Sequence, residues 1–298
     1  MKEVIVIDGL SVMFREFHAL LELKNQSGYG TGMCYGTVKQ LLYLFTKYRW
    51  HSSGVILAWD RKPKWKYELF PGYKAKRKQL DLPEAMSVPV QIKITQRCLK
   101  YLGINQAHHD DMESDDVCAS LCVLLARKGK KVKLVSRDHD MYQCLSKNVS
   151  LLIHEPQGVH EYTEKMFADQ HGIMPEDYWK VQTLGGCTTD KVPGMKGISE
   201  KTAFEIVKAN SWNKILTNDM DLVCPDNRTD NAFDRGFKTW KPELMEQLVR
   251  LRTDLKPVVE FHKFDAVRLK KLFLFLEFKQ YLQQDNFDRI EEIFSGKV

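Results

Sequence analysis

Val4-Ile5-Val6-Ile7-Asp8-Gly9 opens the chain with an unbroken β-branched run that ends on an acid and a glycine. Apolar residues that do not alternate with polar ones fit a strand covered on both faces, as in a parallel sheet. Gly54-Val55-Ile56-Leu57-Ala58-Trp59 and Val132-Lys133-Leu134-Val135-Ser136 read the same way, and Leu151-Leu152-Ile153 is a shorter candidate. Helix-periodic stretches lie between them at 37–48, 89–102 and 115–128. The last carries Val117, Leu121, Leu124 and Leu125. Strands alternating with helices build βαβ units, so residues 1–160 are expected to form an α/β domain with a parallel sheet.

Beyond residue 160 the strand signal fades. Pro193-Gly194 and Gly197 punctuate short helical pieces, and the polar stretch 217–237 reads as a loop or lightly structured insertion. Residues 244–255 and 266–282 are expected as amphipathic helices. The second region, 161–298, is therefore mostly helical.

Composition narrows the class. The chain has 298 residues, 43% hydrophobic and 28% charged, enough apolar content to fill a core and exclude general disorder. No run approaches the roughly 20 apolar residues of a membrane span, so no membrane partner is expected. The first strand is interrupted too soon by Asp8 to be a secretory signal. The seven cysteines are scattered without a CxxC pair. Cys118 and Cys122 read as buried helix positions rather than a zinc site, and a reduced, cytoplasmic setting follows.

The net charge is +6, and its distribution says more. Between Arg61 and Lys78 eight bases face the single acid Glu68, with Trp65, Tyr67, Phe70 and Tyr73 interleaved. That pattern suggests a polyanionic partner such as a nucleic-acid backbone. For Trp65, Tyr67 and Phe70, packing inside the protein is at least as good a reading as stacking on bases.

The acids sit where strands end. Asp8 follows the first strand, Asp60 the second, and Asp138 and Asp140 the third. Glu113, Asp115 and Asp116 stand at the expected start of a helix. Any one of them could be a helix cap. Jointly they point elsewhere, because ligand crevices of open α/β sheets lie at the carboxyl ends of the strands. Several carboxylates in one crevice repel unless protonated or bridged by a cation. All-oxygen ligands suit Mg²⁺ or Mn²⁺, and two such ions about 4 Å apart can drive phosphodiester hydrolysis.

These residues resemble a known family. Ile7-Asp8-Gly9 with Phe14-Arg15-x-Phe17-His18, Trp59-Asp60, and Glu68-Leu-Phe-Pro-Gly-Tyr73-Lys74-Ala-Lys-Arg77 are similar to motifs of the 5′-nuclease superfamily. So are Glu113-Ser-Asp-Asp116, Ser136-Arg-Asp138-His-Asp140-Met, and Thr189-Asp190-Lys-Val-Pro-Gly194-Met-Lys-Gly197-Ile-Ser-Glu-Lys201. Near the end, Arg252-Thr-Asp254 and Leu276-Glu-Phe278 resemble segments of the 5′-nuclease domain of bacterial DNA polymerase I.

The resemblance implies a PIN-like nuclease domain with a helical arch near 72–95, then a helical region with a helix–three-turn–helix near 184–208. It implies a metal-dependent 5′→3′ exonuclease or flap endonuclease acting near a 5′ single-strand/duplex junction. The metal ligands it implies are Asp8, Asp60, Glu113 and Asp115 for a first ion, and Asp138, Asp140 and Asp190 for a second, with Asp116 also in the set. Arg15, Lys74 and Arg77 would meet the scissile phosphate or its neighbours, and Tyr73 would stack on an unpaired base. Gly194, Lys196, Gly197 and Lys201 would hold duplex backbone, with K⁺ as a further ion at that hairpin. DNA with a 5′ flap or free 5′ end is the implied partner, with an RNA–DNA hybrid as a further candidate. A monomer in a bacterial or phage-infected cell is expected.

Two positions depart from the pattern. Where the family has Gly-Asp-x-x-Asp, this chain has Gly186-Cys187-Thr-Thr-Asp190, and Lys191 replaces the usual Asn. A missing carboxylate weakens the second ion site. It keeps open a second reading, a branched-DNA-binding protein of the same fold with reduced catalysis. A PIN-type ribonuclease is a third reading, opposed by the basic stretch and the hairpin.

Overall fold

A computed structural model describes residues 3–75, 80–155 and 158–296. The strands are β1 (Glu3–Asp8), β2 (Val55–Ala58), β3 (Asn105–His108), β4 (Lys131–Val135), β5 (Val149–Glu155), β6 (Gly158–Tyr162), β7 (Gly186–Cys187), β8 (Val192–Pro193) and β9 (Val258–Glu260). Seven of them form one sheet in the order β6-β5-β4-β1-β2-β3-β9. The pairs β1–β2, β1–β4, β2–β3 and β4–β5 are parallel, whereas the edges β6 and β9 pair antiparallel. The expected parallel sheet is thus present, with an antiparallel strand at each edge.

Both faces of the sheet are covered, which explains the unbroken apolar run of β1. Ile5 and Ile7 enter one core with Phe17, Leu41, Phe45, Leu99, Phe273, Phe287 and Phe294. Val6 enters the opposite core with Val117, Leu121, Phe167, Ile206 and Phe233. Each of these two cores draws on residues from both sides of position 160, so the C-terminal helices close over the sheet, and a smaller third core joins Tyr73 to Val192, Met245, Leu248 and Val249.

Four elements differ from the sequence expectation, the first being the helix expected over 244–255, which ends at Val249. Strand β3 reads as polar, yet Asn105 and Gln106 are buried. Asn105 Nδ2 donates to Val55 O at 3.1 Å, and Gln106 Oε1 accepts from Trp59 Nε1 at 2.8 Å. The polar stretch 217–237 contains a helix, Asn227–Phe237, capped by Asp226 and pinned by buried Phe233. Residues 266–282 are not one helix. Ala266–Phe275 and Lys279–Leu282 are separated where Glu277 turns to φ +58°.

The segment expected as an arch, 72–95, is described in part. Residues 71–75 are turns, 76–79 lie outside the described residues, and 80–83 are irregular. A 3-10 turn follows at Glu84–Met86. From Val88 the chain is a helix to Tyr101, with Gln91 and Thr95 buried. Among the described residues, no helix is long and apolar enough to cross a membrane.

Candidate functional site

Strand β1 has β2 on one side and β4 on the other, so the chain leaves it in opposite directions. A crevice opens at such a switch point. Register aligns the strand ends there: Asp8 lies opposite Ala58 and Ile7 opposite Val135. Asp60 and Asp138 follow within three residues, and helix Ser114–Arg127 delivers Glu113 and Asp115 at its N-terminus. Asp8, Asp60, Asp115 and Asp138 line one cleft together with Ser11, Ser114, Lys74 and Arg137.

Uncharged donors hold the first acids. Asp8 accepts from Ser114 Oγ at 3.0 Å and Ser136 Oγ at 2.9 Å, and Asp60 accepts the Ser114 backbone N–H at 2.6 Å. Asp8 and Asp138 also cap the helices they precede, accepting from Ser11 N at 3.4 Å and Asp140 N at 3.0 Å. Capping and convergence therefore coexist in the same carboxylates.

Electrostatics separate two kinds of acid. Burial, aided by the charges of Asp60 and Asp138, pushes Asp8 up to about 6 despite its serine donors. Burial and like charges also raise Asp60 and, much further, Asp115. Asp140 is pushed up to about 7 by burial and the charges of Asp138 and Asp190. Glu113 goes the other way. Burial would raise it, but the charges of Lys66 and Lys74 outweigh that and hold it at about 2. Lys66 Nζ lies 2.8 Å from Glu113 Oε2 and Lys74 Nζ 2.6 Å from Oε1. Acids crowded without enough cations, offering oxygen alone, fit a hard divalent ion.

A second group sits beside the first. Ligand atoms of Asp140, Cys187 and Asp190 all lie within 4.8 Å of one another. Cys187 is on β7, in the two-stranded hairpin with β8, and its side chain does face the acids. Burial and the charges of Asp140, Asp190 and Asp138 push its thiol up to about 12, so it is neutral at physiological pH.

Several expected site residues stand elsewhere. Tyr73 is 1% exposed, and its hydroxyl contacts Glu113 at 2.7 Å and Asp190 at 3.0 Å. Its ring is sealed in and cannot stack on a base. Asp116 is fully buried and turned from the cleft. It accepts the Arg252 N–H at 2.9 Å and lies 3.5 Å from Lys66 Nζ. Arg15 is tied to Glu16, Gln40 and His154 and does not line the cleft. Arg77 lies outside the described residues. Gly194 is half-buried, and a Cβ there would meet the Gly185 carbonyl carbon and Gly186 N at 2.3 Å, so only glycine lets the hairpin pack against the end of helix Tyr178–Gly185. Gly197 adopts φ +93° in the turn before helix Glu200–Ala209, whose N-cap is Ser199, and Lys196 and Lys201 are exposed beside it.

Lys66 and Arg137 are the cations that sequence reasoning passed over. Lys66 was one base among eight, and nothing in its spacing marks it as buried. Arg137 stands between Ser136 and Asp138 and was hidden by its neighbours.

Residues 3–172 match the family described as "5′-3′ exonuclease, N-terminal resolvase-like domain". A 5′-3′ exonuclease of Aquifex aeolicus is 31% identical over 294 residues, covering 95% of each protein. The thermostable DNA polymerase I of Thermus aquaticus is 30% identical over 287 residues; the match covers 94% of this chain but only 33% of that polymerase. The chain thus spans about a third of the length of such polymerase relatives. Among solved structures, T5 5′-exonuclease with bound zinc superposes at TM-score 0.63 and 16% identity over 98% of both chains. The catalytic core of Rad2 in complex with DNA substrate superposes at TM-score 0.60 and 15% identity, covering 100% of this chain and 92% of that one. At such identities the likeness is one of fold.

Proposed function

The chain belongs to the 5′-nuclease superfamily, and from that premise we propose that it is a divalent-metal-dependent 5′→3′ exonuclease and flap endonuclease. Its substrate is DNA with a free or flapped 5′ end. The observation that carries this reading is the convergence of Asp8, Asp60, Asp115 and Asp138 in one cleft beside Lys74 and Arg137. The 5′-3′ exonuclease relatives support it.

Asp8, Asp60, Glu113 and Asp115 would hold a first ion, and Asp138, Asp140 and Asp190 a second, with Mg²⁺ or Mn²⁺ matching the oxygen donors. Such ions supply an activated water and stabilise the leaving oxygen. The chain's own residues do the rest. Lys74 and Arg137 offer positive charge to the scissile phosphate, where negative charge gathers in the transition state. Arg77 joins them on the family resemblance. Lys196, Lys201 and the turn at Gly197 grip duplex backbone without reading sequence, with K⁺ as a candidate at the turn. An RNA–DNA hybrid is a second substrate candidate, and the enzyme acts as a cytoplasmic monomer. The neutral Cys187 thiol among Asp140 and Asp190 favours a weakened second site rather than a lost one.

A 5′-flap substrate incubated with and without Mg²⁺ tests the proposal. Cleavage is expected with Mg²⁺ and none with EDTA. Asp60→Asn or Asp138→Asn should remove cleavage while DNA binding persists, and full cleavage by either variant would sink the assignment. Lys74→Ala should lower single-turnover rate more than affinity, because its charge acts on the transition state.

A further inference from the structure

The segment Arg252-Thr-Asp254 and its upstream neighbours carry no role in the chemistry above, yet two routes run from them to the acids, one hydrogen-bonded throughout and one passing through the Lys66–Asp116 ion pair. On the first route, Gln143 spans the segment. Its Nε2 donates to Val249 O at 2.9 Å, and its Oε1 accepts from Leu251 N at 3.1 Å. The same Nε2 contacts Gln182 Oε1 at 2.8 Å, and Gln182 Nε2 donates to Asp140 Oδ1. On the second route, Arg252 N donates to Asp116 Oδ1 at 2.9 Å, and Lys66 bridges Asp116 at 3.5 Å to Glu113 at 2.8 Å. Ser120 fastens the segment to helix Ser114–Arg127 by donating to Arg252 O at 2.9 Å and accepting from Leu255 N at 3.2 Å. Arg250 adds a further clasp, 4.5 Å from the Trp179 ring centroid.

We infer that the backbone of residues 249–252 is the common anchor of both carboxylate groups, with Gln143, Gln182 and Lys66 as positioning residues that transmit it to Asp140 and Glu113. The inference rests on the metal-dependent reading above. Crowded like charges push carboxylates apart, and a carboxylate rotates freely about its last bond unless a donor fixes one oxygen. Gln182 does so for Asp140 with a neutral amide, which orients the group without cancelling the charge that a cation needs. Lys66 does so for Glu113 from the side opposite Lys74, taking Oε2 while Lys74 takes Oε1. Groups standing behind a metal ligand in this way typically govern affinity by about 10–100-fold. Asp116 thereby has a place that is not ligation: it ties Lys66 to the anchor.

Gln143→Met tests the first route, since Gln143 touches no acid of either group directly. Mn²⁺ binding by calorimetry without DNA should weaken about ten-fold at the weaker site. Half-maximal flap cleavage should need correspondingly more Mg²⁺, while DNA affinity in EDTA stays at the wild-type value. Lys66→Met should likewise weaken Mn²⁺ binding, and Lys66→Arg should restore it. Lys66→Met strands two buried carboxylates and can fail to fold, so Gln143→Met is the deciding variant. A lower melting temperature with unchanged Mn²⁺ affinity in Gln143→Met overturns the inference. A wild-type chain that binds Mn²⁺ but cuts no flap overturns the proposed function instead, and the calorimetry still reads the anchor.

Discussion

Cys187 places a neutral sulfur where a carboxylate would complete the second group, within 4.8 Å of the ligand atoms of Asp140 and Asp190. A thiol is a poor partner for a hard cation. Cys187→Asp should therefore lower the Mg²⁺ concentration for half-maximal cleavage, and Mn²⁺ should support the unaltered chain better than Mg²⁺. Superimposable Mg²⁺ titrations of the two proteins would mean that the residue has no part in ion binding. A second expectation concerns protons. Asp8 and Asp140 titrate at about 6 and about 7 in the folded chain against 3.8 unfolded. The folded state therefore holds their protons more tightly, and their stabilising contribution is lost as pH rises through 6 to 7. Glu113, at about 2 against 4.5, contributes above 4.5 and loses its contribution as pH falls toward 2. A divalent ion replaces the lost protons, so the rise in melting temperature on adding Mg²⁺ should grow from pH 5 to pH 7.5. Comparing melts with and without Mg²⁺ at each pH cancels the histidines common to both. The acids of this site were legible because each follows a strand or opens a helix. Burial was not: Tyr73, Lys66 and Asp116 look like their exposed neighbours until the chain is folded around them.

At the scale of elements, the hairpin β7–β8 and the turn after it show why two nearby glycines differ. Gly194 packs against the backbone of Gly185 and Gly186, so Gly194→Ala forces these strands apart at a cost of about 1–3 kcal/mol or more. Chemical denaturation should register it, and a wild-type midpoint would contradict the close approach. Lys196 and Lys201 stand exposed beside the Gly197 turn and helix Glu200–Ala209. Replacing both with Ala should weaken duplex binding uniformly across sequences and reduce the salt slope by about two. A sequence-dependent loss in a filter-binding series would show base contacts instead. Strands β1 and β2 were readable because both faces are apolar, and β4 because Val132, Leu134 and Val135 keep an apolar run despite Lys131 and Lys133. Strand β3 was not, because Asn105 and Gln106 spend their polar groups on Val55, Ser53, Trp59 and Gln96 inside the protein. Helix Asn227–Phe237 escaped notice because its Asn and Asp content reads as a loop, although Phe233 and Phe237, one turn apart, mark a face that packs on the core.

Over the whole molecule, two cores clasp one sheet, and each is completed by side chains far along the chain. Phe294 is fully buried and meets Phe45 at a ring separation of 4.6 Å. Phe294→Ala should cost about 3–5 kcal/mol, lowering the melting temperature of the entire chain in one transition. Two separate transitions would show that residues 1–160 fold independently.

The edge strand β9 pairs with β3 although about 150 residues separate them, Gln106 lying opposite Glu260. A growing polypeptide emerging from the ribosome therefore carries an uncovered β3 edge for most of its synthesis. Unpaired backbone of that kind recruits strands from other chains. The delay has a kinetic side too, because contacts distant in sequence close slowly. The interval before residue 260 arrives to seal that edge thus bears on how well this protein can be produced.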